Sequence, residues 1–271
     1  MNNKAFSPRK AMAVIALIFA AAMLFFEYCP IVYSPDVDLD EIIRMTLSRG
    51  CGAVMFTLML AYLGYCTMNP FRRPFWRGIL VSLPAFAIAV NNFPMLSTFW
   101  GDAKLVGEPL AVGLFALECL FVGIFEETAF RGVVFLYLLE NRRADKRQIF
   151  KTVVLSSAIF GAIHLANVFA GGVGPTLLQV GYSFLIGGML SVVLLKTKNI
   201  WICAIIHAVY NFCGYLMPIL GEGKWWDLPT VIFTVILSLA VAAYTIVTLL
   251  KISPCELDDI YMKKGEKICT E

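Results

Sequence analysis

Residues Leu110 to Glu140 read LAVGLFALECLFVGIFEETAFRGVVFLYLLE, an apolar run that nevertheless carries Glu118, Glu126, Glu127 and Arg131. A helix of about 20 mostly apolar residues is long enough to cross a bilayer. A passive membrane anchor has no use for charged groups within such a run. Ionisable residues at membrane depth are costly and mark functional sites. The stretch is therefore read as a transmembrane helix that carries chemistry.

The remainder of the chain fits that reading. Of 271 residues, 59% are hydrophobic and only 15% charged, whereas a soluble domain carries roughly 25% charged residues. This composition excludes a disordered chain, a normal cytosolic enzyme and a nucleic-acid-binding surface, so no nucleic acid is expected as a partner. The net charge of +3 is too small to imply an acidic partner. Cys66, Cys119, Cys203 and Cys213 lie inside apolar runs, where a thiol behaves as a small hydrophobe. Cys29 and Cys51 are the two that could pair outside the cytosol. There is no CxxC, so a thiol-bound metal is not expected. Cys269 stands third from the end rather than fourth, so the chain is not expected to be a prenylation substrate itself.

Working outward, further apolar stretches run from Ala11 to Phe26, Cys51 to Phe71, Gly78 to Gly101, Asn199 to Met217 and Leu228 to Leu250. The first is too long for a signal-peptide core and is read as a retained helix. The third is expected to bend at Pro84 and Pro94. Thr152 to Leu195 is too long for one crossing, and Gly171-Gly172-Val173-Gly174-Pro175 divides it. The expectation is an all-α polytopic bundle of about eight transmembrane helices. With the N-terminus cytoplasmic, seventeen Lys and Arg fall on the cytosolic side and four (Arg44, Arg49, Lys104, Lys224) on the other. That asymmetry follows the positive-inside rule and places both termini in the cytoplasm, in what is expected to be the plasma (inner) membrane.

The chain has two histidines, His164 and His207, both inside spans. At about 1.5 Å rise per residue, Glu126 and His164 lie roughly 21 Å from the cytosolic helix ends, Asn211 about 18 Å and His207 about 12 Å. Three helices thus bring four polar groups toward one layer. His207 and Asn211, four apart, share a face. Glu127 and Arg131 have the i,i+4 spacing of an intrahelical ion pair, acid first. Glu126 points about 100° away around the helix and has no such partner. A lone carboxyl at depth is the kind of group from which a general acid or base is made.

Three motifs then fall into register. Glu126-Glu127-Thr128-Ala129-Phe130-Arg131 is EExxxR, Phe160-Gly161-Ala162-Ile163-His164 is FxxxH, and His207-Ala208-Val209-Tyr210-Asn211 is HxxxN. Together they resemble the CPBP intramembrane proteases, a family that includes type II CAAX prenyl endopeptidases and bacteriocin-immunity and processing proteins. The resemblance covers Gly107 to Met217 and implies three parts: helices one to three (residues 1–106), a catalytic core (107–217), and a last helix with a cytoplasmic tail (218–271). It implies an intramembrane endopeptidase acting on a membrane-associated, prenylated or leader peptide, with membrane lipid as its surroundings. Glu126, helped by His164, would activate water; His207 and Asn211 would stabilise the oxyanion; Glu127 and Arg131 would orient the site. The family is described both as glutamate-type and as metallo. The glutamate mechanism, with no cofactor, is favoured here because neither histidine belongs to an HExxH pair. Zinc is the alternative, with His164, His207 and Glu126 as ligands.

Other chemistries fit less well. There is no GxGD aspartate pair, and Gly181-Tyr182-Ser183-Phe184 lacks the second glycine of GxSG. A Ser183–His207 dyad is a poor alternative. Haem ligation by the two histidines leaves the glutamates without work. A proton-coupled transporter using Glu118 and Glu126, and a non-catalytic immunity or scaffold protein of the same fold, are the rivals from other classes. Glu118, two turns before Glu126, has no assigned role.

Overall fold

The computed structural model describes residues 8–69 and 75–261. They form an all-α bundle in which, among the described residues, seven helices are long and apolar enough to cross a membrane. In chain order these elements are α1 (Pro8–Tyr28), α2 (Val37–Leu63), α3 (Phe75–Asn91), the short α4 (Met95–Trp100), strand β1 (Ala103–Leu105) and α5 (Pro109–Glu126). A π-helical segment, Glu127–Phe135, continues α5 into α6 (Leu136–Glu140). Next come α7 (Lys146–Ile163), a 3₁₀ turn at His164–Asn167, α8 (Val168–Gly171), α9 (Val173–Thr197) and α10 (Ile200–Leu220). Strand β2 (Gly221–Gly223), α11 (Leu228–Leu250), a 3₁₀ turn at Pro254–Leu257 and α12 (Asp258–Tyr261) complete the described residues.

Two expected spans are corrected. The second runs from Val37 to Leu63 rather than from Cys51 to Phe71. Asp36 caps its start by accepting from Leu39 N, and Gly64 ends it at φ 75°, a left-handed conformation that glycine adopts without penalty. Its arginines are tolerated because Arg44 meets Asp40 at 3.0 Å and Arg49 meets Glu27 of α1 at 3.0 Å. The third expected span is two helices: α3 ends at Asn91, and Pro94 begins the separate α4. Its apolar part, Gly78–Asn91, is shorter than the seven candidate spans. Pro84 sits within α3. The division near Gly171–Pro175 is present, with Gly172 at φ 78°. Cys29 and Cys51 are free thiols, and Cys269 lies outside the described residues.

The bundle buries small residues where helices cross and turns large apolar ones outward. Leu17 and Ile18 of α1 and Ile236 and Leu239 of α11 are exposed, as a lipid surround requires. On the inside, a Cβ at Gly187 would lie 3.1 Å from Ser157 Cα, so α7 and α9 approach through glycine and serine. A Cβ at Gly123 of α5 would sit on the Ala204 carbonyl oxygen and 3.0 Å from Ala208 N of α10. The far ends of α5 and α10 are joined as well. β1 pairs antiparallel with β2, and Val106 N and Gly107 N both donate to Leu220 O, at 3.0 and 2.9 Å. The helix bearing the acidic pair is thereby locked against the helix bearing His207.

This packing makes Gly123→Ala a severe change, because the obstacle is backbone and cannot rotate away. Overpacking of this kind costs about 1–3 kcal/mol. Thermal unfolding of purified protein is expected to show a clearly lowered midpoint for Gly123→Ala. Gly113→Ala, whose Cβ would meet nothing within 4 Å, should leave it unchanged.

Candidate active site

The site forms where α5 changes register. Thr128 donates its hydroxyl to Ile124 O at 2.6 Å and lies 3.2 Å from Phe125 O, a side-chain bond that competes with the helical ladder. From Glu127 onward the chain is π-helical through Phe135. Such segments are rare and concentrate at functional positions. Beyond them the helix is held by Tyr261, whose hydroxyl donates to Leu136 O at 2.9 Å.

Glu127 is completely buried, and one of its oxygens does two jobs. Oε1 lies 2.9 Å from Arg131 Nη1 and 2.7 Å from His207 Nδ1. The expected Glu127–Arg131 pair is present, and it is joined by a histidine from another helix. The Arg131 guanidinium also stacks 4.0 Å above the Phe160 ring, so its buried charge meets a carboxylate on one side and a π face on the other. Because a carboxylate only accepts, Nδ1 of His207 carries the proton and Nε2 is directed away. Nε2 then lies 3.6 Å from Glu126 Oε2, a distance too long for a hydrogen bond. His207 is buried, whereas the Glu126 side chain retains 20% exposure.

Phe160 organises the other side. Its ring lies 5.2 Å from His164, 6.0 Å from His207 and 4.9 Å from Phe130, each edge to face. The first residue of FxxxH is thus the plate against which both histidines and Arg131 are set, a role that spacing alone does not reveal. His164 caps the end of α7, and its Nδ1 lies 2.9 Å from Phe160 O. A carbonyl only accepts, so His164 also carries its proton on Nδ1 and presents Nε2. Asn211 stands one turn beyond His207 on α10 and is partly exposed.

The depth difference expected between Glu126 and His207 is corrected by the 3.6 Å separation of their side chains. Counting back from Glu140 at a uniform α-helical rise ignores the π segment, which winds more residues into each turn and climbs less. Ser183 is buried on α9, and His207 Nδ1 is taken by Glu127. Glu118 of α5 lies within electrostatic range of Arg49 and Glu41 of α2, apart from the His207 cluster. Among the described residues, no group of three or more His, Cys, Asp or Glu side chains is gathered closely enough to hold a metal ion.

Separating the buried pair should be more damaging than removing it. Glu127→Gln or Arg131→Met alone leaves a buried charge without its partner, at roughly 3–5 kcal/mol. The double variant should recover part of that loss in a thermal-unfolding measurement. A double variant less stable than either single would contradict the pairing.

No curated protein and no solved structure matches the chain. Residues 108–213, the segment that carries every polar group of this site, match the family model described as type II CAAX prenyl endopeptidase Rce1-like, the family grouping that the three motifs resemble.

Proposed function

We propose that this integral membrane protein is an intramembrane endopeptidase that hydrolyses a peptide bond of a membrane-associated, prenylated or leader peptide. The observation that carries the reading is His207 held between two carboxyls, Glu127 on Nδ1 at 2.7 Å and Glu126 facing Nε2 at 3.6 Å. The family match supports a CAAX-type protease in general.

In this reading Glu126 is the general base. It takes a proton from water as the water oxygen bonds to the scissile carbonyl carbon. His164 Nε2 accepts a hydrogen bond from the same water and orients it. Negative charge then develops on the carbonyl oxygen, where donors aimed in advance contribute most. Asn211 supplies an amide N–H. His207 donates through Nε2 when that nitrogen is protonated, and Glu127 on the opposite nitrogen stabilises the charged ring, as the aspartate does in a catalytic triad. The C–N bond breaks as the leaving amine takes the proton from Glu126. Every step in this reading is performed by side chains, and a zinc ion held by His164, His207 and Glu126 is the alternative. The basic-residue asymmetry supports both termini lying on the cytoplasmic side of the membrane.

Glu126→Gln keeps the shape of the side chain and removes the base, so it should lower turnover at least 10²–10⁴-fold with little change in melting temperature. Asn211→Ala should lower kcat more than it raises KM. Both are measured on a farnesylated CAAX peptide with a mass-spectrometric readout. Activity should survive exhaustive chelation. Retained turnover in Glu126→Gln, or activity lost on chelation and restored by zinc, would overturn the assignment.

A further inference from the structure

Two side-chain pairs beside the site take no part in the mechanism above. Tyr182 Oη and Tyr215 Oη are 3.0 Å apart, and Asn167 Nδ2 donates to Gln179 Oε1 at 2.8 Å. Each pair includes a neighbour of a site residue. Tyr215 follows Asn211 by four residues on α10, continuing the face that begins with His207. Asn167 closes the 3₁₀ turn opened by His164. Gln179 and Tyr182, three apart on α9, are neighbours on one helix face and supply the other halves. Glu126 lies within electrostatic range of the Tyr182 hydroxyl. The two pairs therefore span the junction of α9 with α10 and with the His164 turn.

Neither pair uses all of its hydrogen-bonding capacity internally. Two hydroxyls that share one hydrogen bond leave one O–H free to donate. The amide pair consumes one proton of Asn167 and one lone pair of Gln179, which leaves the Gln179 NH₂ as donor and the Asn167 oxygen as acceptor. These groups are also reachable: Tyr215 is 40% exposed and Asn167 is exposed.

A peptidase working at membrane depth faces a particular cost. A peptide must be extended around its scissile carbonyl to be attacked, and every N–H and C=O left unpaired at that depth is expensive in a lipid setting unless the enzyme satisfies it. A row of unspent donors and acceptors beside the attacking carboxyl answers that need, independently of the substrate's side chains. We propose that Tyr182–Tyr215 and Asn167–Gln179 form a subsite that binds the unwound main chain of the peptide next to the scissile bond. The subsite rests on the endopeptidase reading given above.

The test measures binding of a fluorescent farnesylated CAAX peptide to Glu126→Gln protein in lipid nanodiscs, then adds Tyr182→Phe or Tyr215→Phe. Each phenylalanine removes one oxygen atom and should weaken binding roughly 3–10-fold, as expected for one lost hydrogen bond. In the otherwise wild-type protein the same changes should raise KM by that factor and leave kcat within about twofold, the pattern of lost uniform binding. Tyr244→Phe, which removes a hydroxyl bonded instead to Val81 O, should change neither. If a phenylalanine variant proves unstable, Gln179→Leu reports on the other pair. Cleavage by the wild type with unchanged KM in these variants overturns the subsite alone. A wild type that neither binds nor cleaves the peptide contradicts a CAAX-peptide endopeptidase, and the subsite proposed for that substrate falls with it.

Discussion

A single carboxylate oxygen with no solvent exposure ties the site together. Glu127 Oε1 holds Arg131 from its own helix and His207 from α10. Arg131 in turn presses on Phe160 of α7, so three helices are cross-linked through one charged group. In a low-dielectric interior a charge can be kept only where its partners are in place. The cluster therefore orients His207 and fixes the α5–α7–α10 arrangement by the same contacts.

The backbone makes this arrangement reachable. Thr128 diverts the ladder at the α5 end, the π segment begins at Glu127, and the following turn is anchored by Tyr261. Upstream, Gly123 lets α5 lie directly on the α10 backbone at Ala204 and Ala208, the latter adjacent to His207. A glycine one turn before Glu126–Glu127 thus sets how closely the acids can approach the imidazole. Outside this centre the demands are looser, and α1 and α11 present large apolar side chains to lipid.

The limits of sequence reading follow from the same physics. Leu228–Leu250 was legible to the residue because an uninterrupted apolar run has ends set by polar flanks. The Gly171–Pro175 break was legible because glycine and proline act locally. Val37–Leu63 was misplaced because its arginines are neutralised by Asp40 and by Glu27 of another helix, the latter a partner that spacing along one helix cannot show. The Glu127–Arg131 pair was readable from i,i+4 spacing, but the His207–Glu127 bond joins residues 80 apart. Phe160 stood in a motif without a visible role, since its work is to contact Arg131 and both rings. The π segment left no compositional mark, and a uniform helical rise placed Glu126 too far from His207.

The central claim is that Glu127 fixes the His207 ring with its proton on Nδ1 and Nε2 turned toward Glu126. With only two histidines in the chain, ¹⁵N solid-state NMR of histidine-labelled protein in lipid can resolve both rings. The account requires Nδ1–H for each ring when neutral, and a change in the His207 Nδ1 signal alone on replacing Glu127 by Gln. A neutral His207 protonated on Nε2, or one whose Nδ1 signal ignores the loss of Glu127, would contradict it.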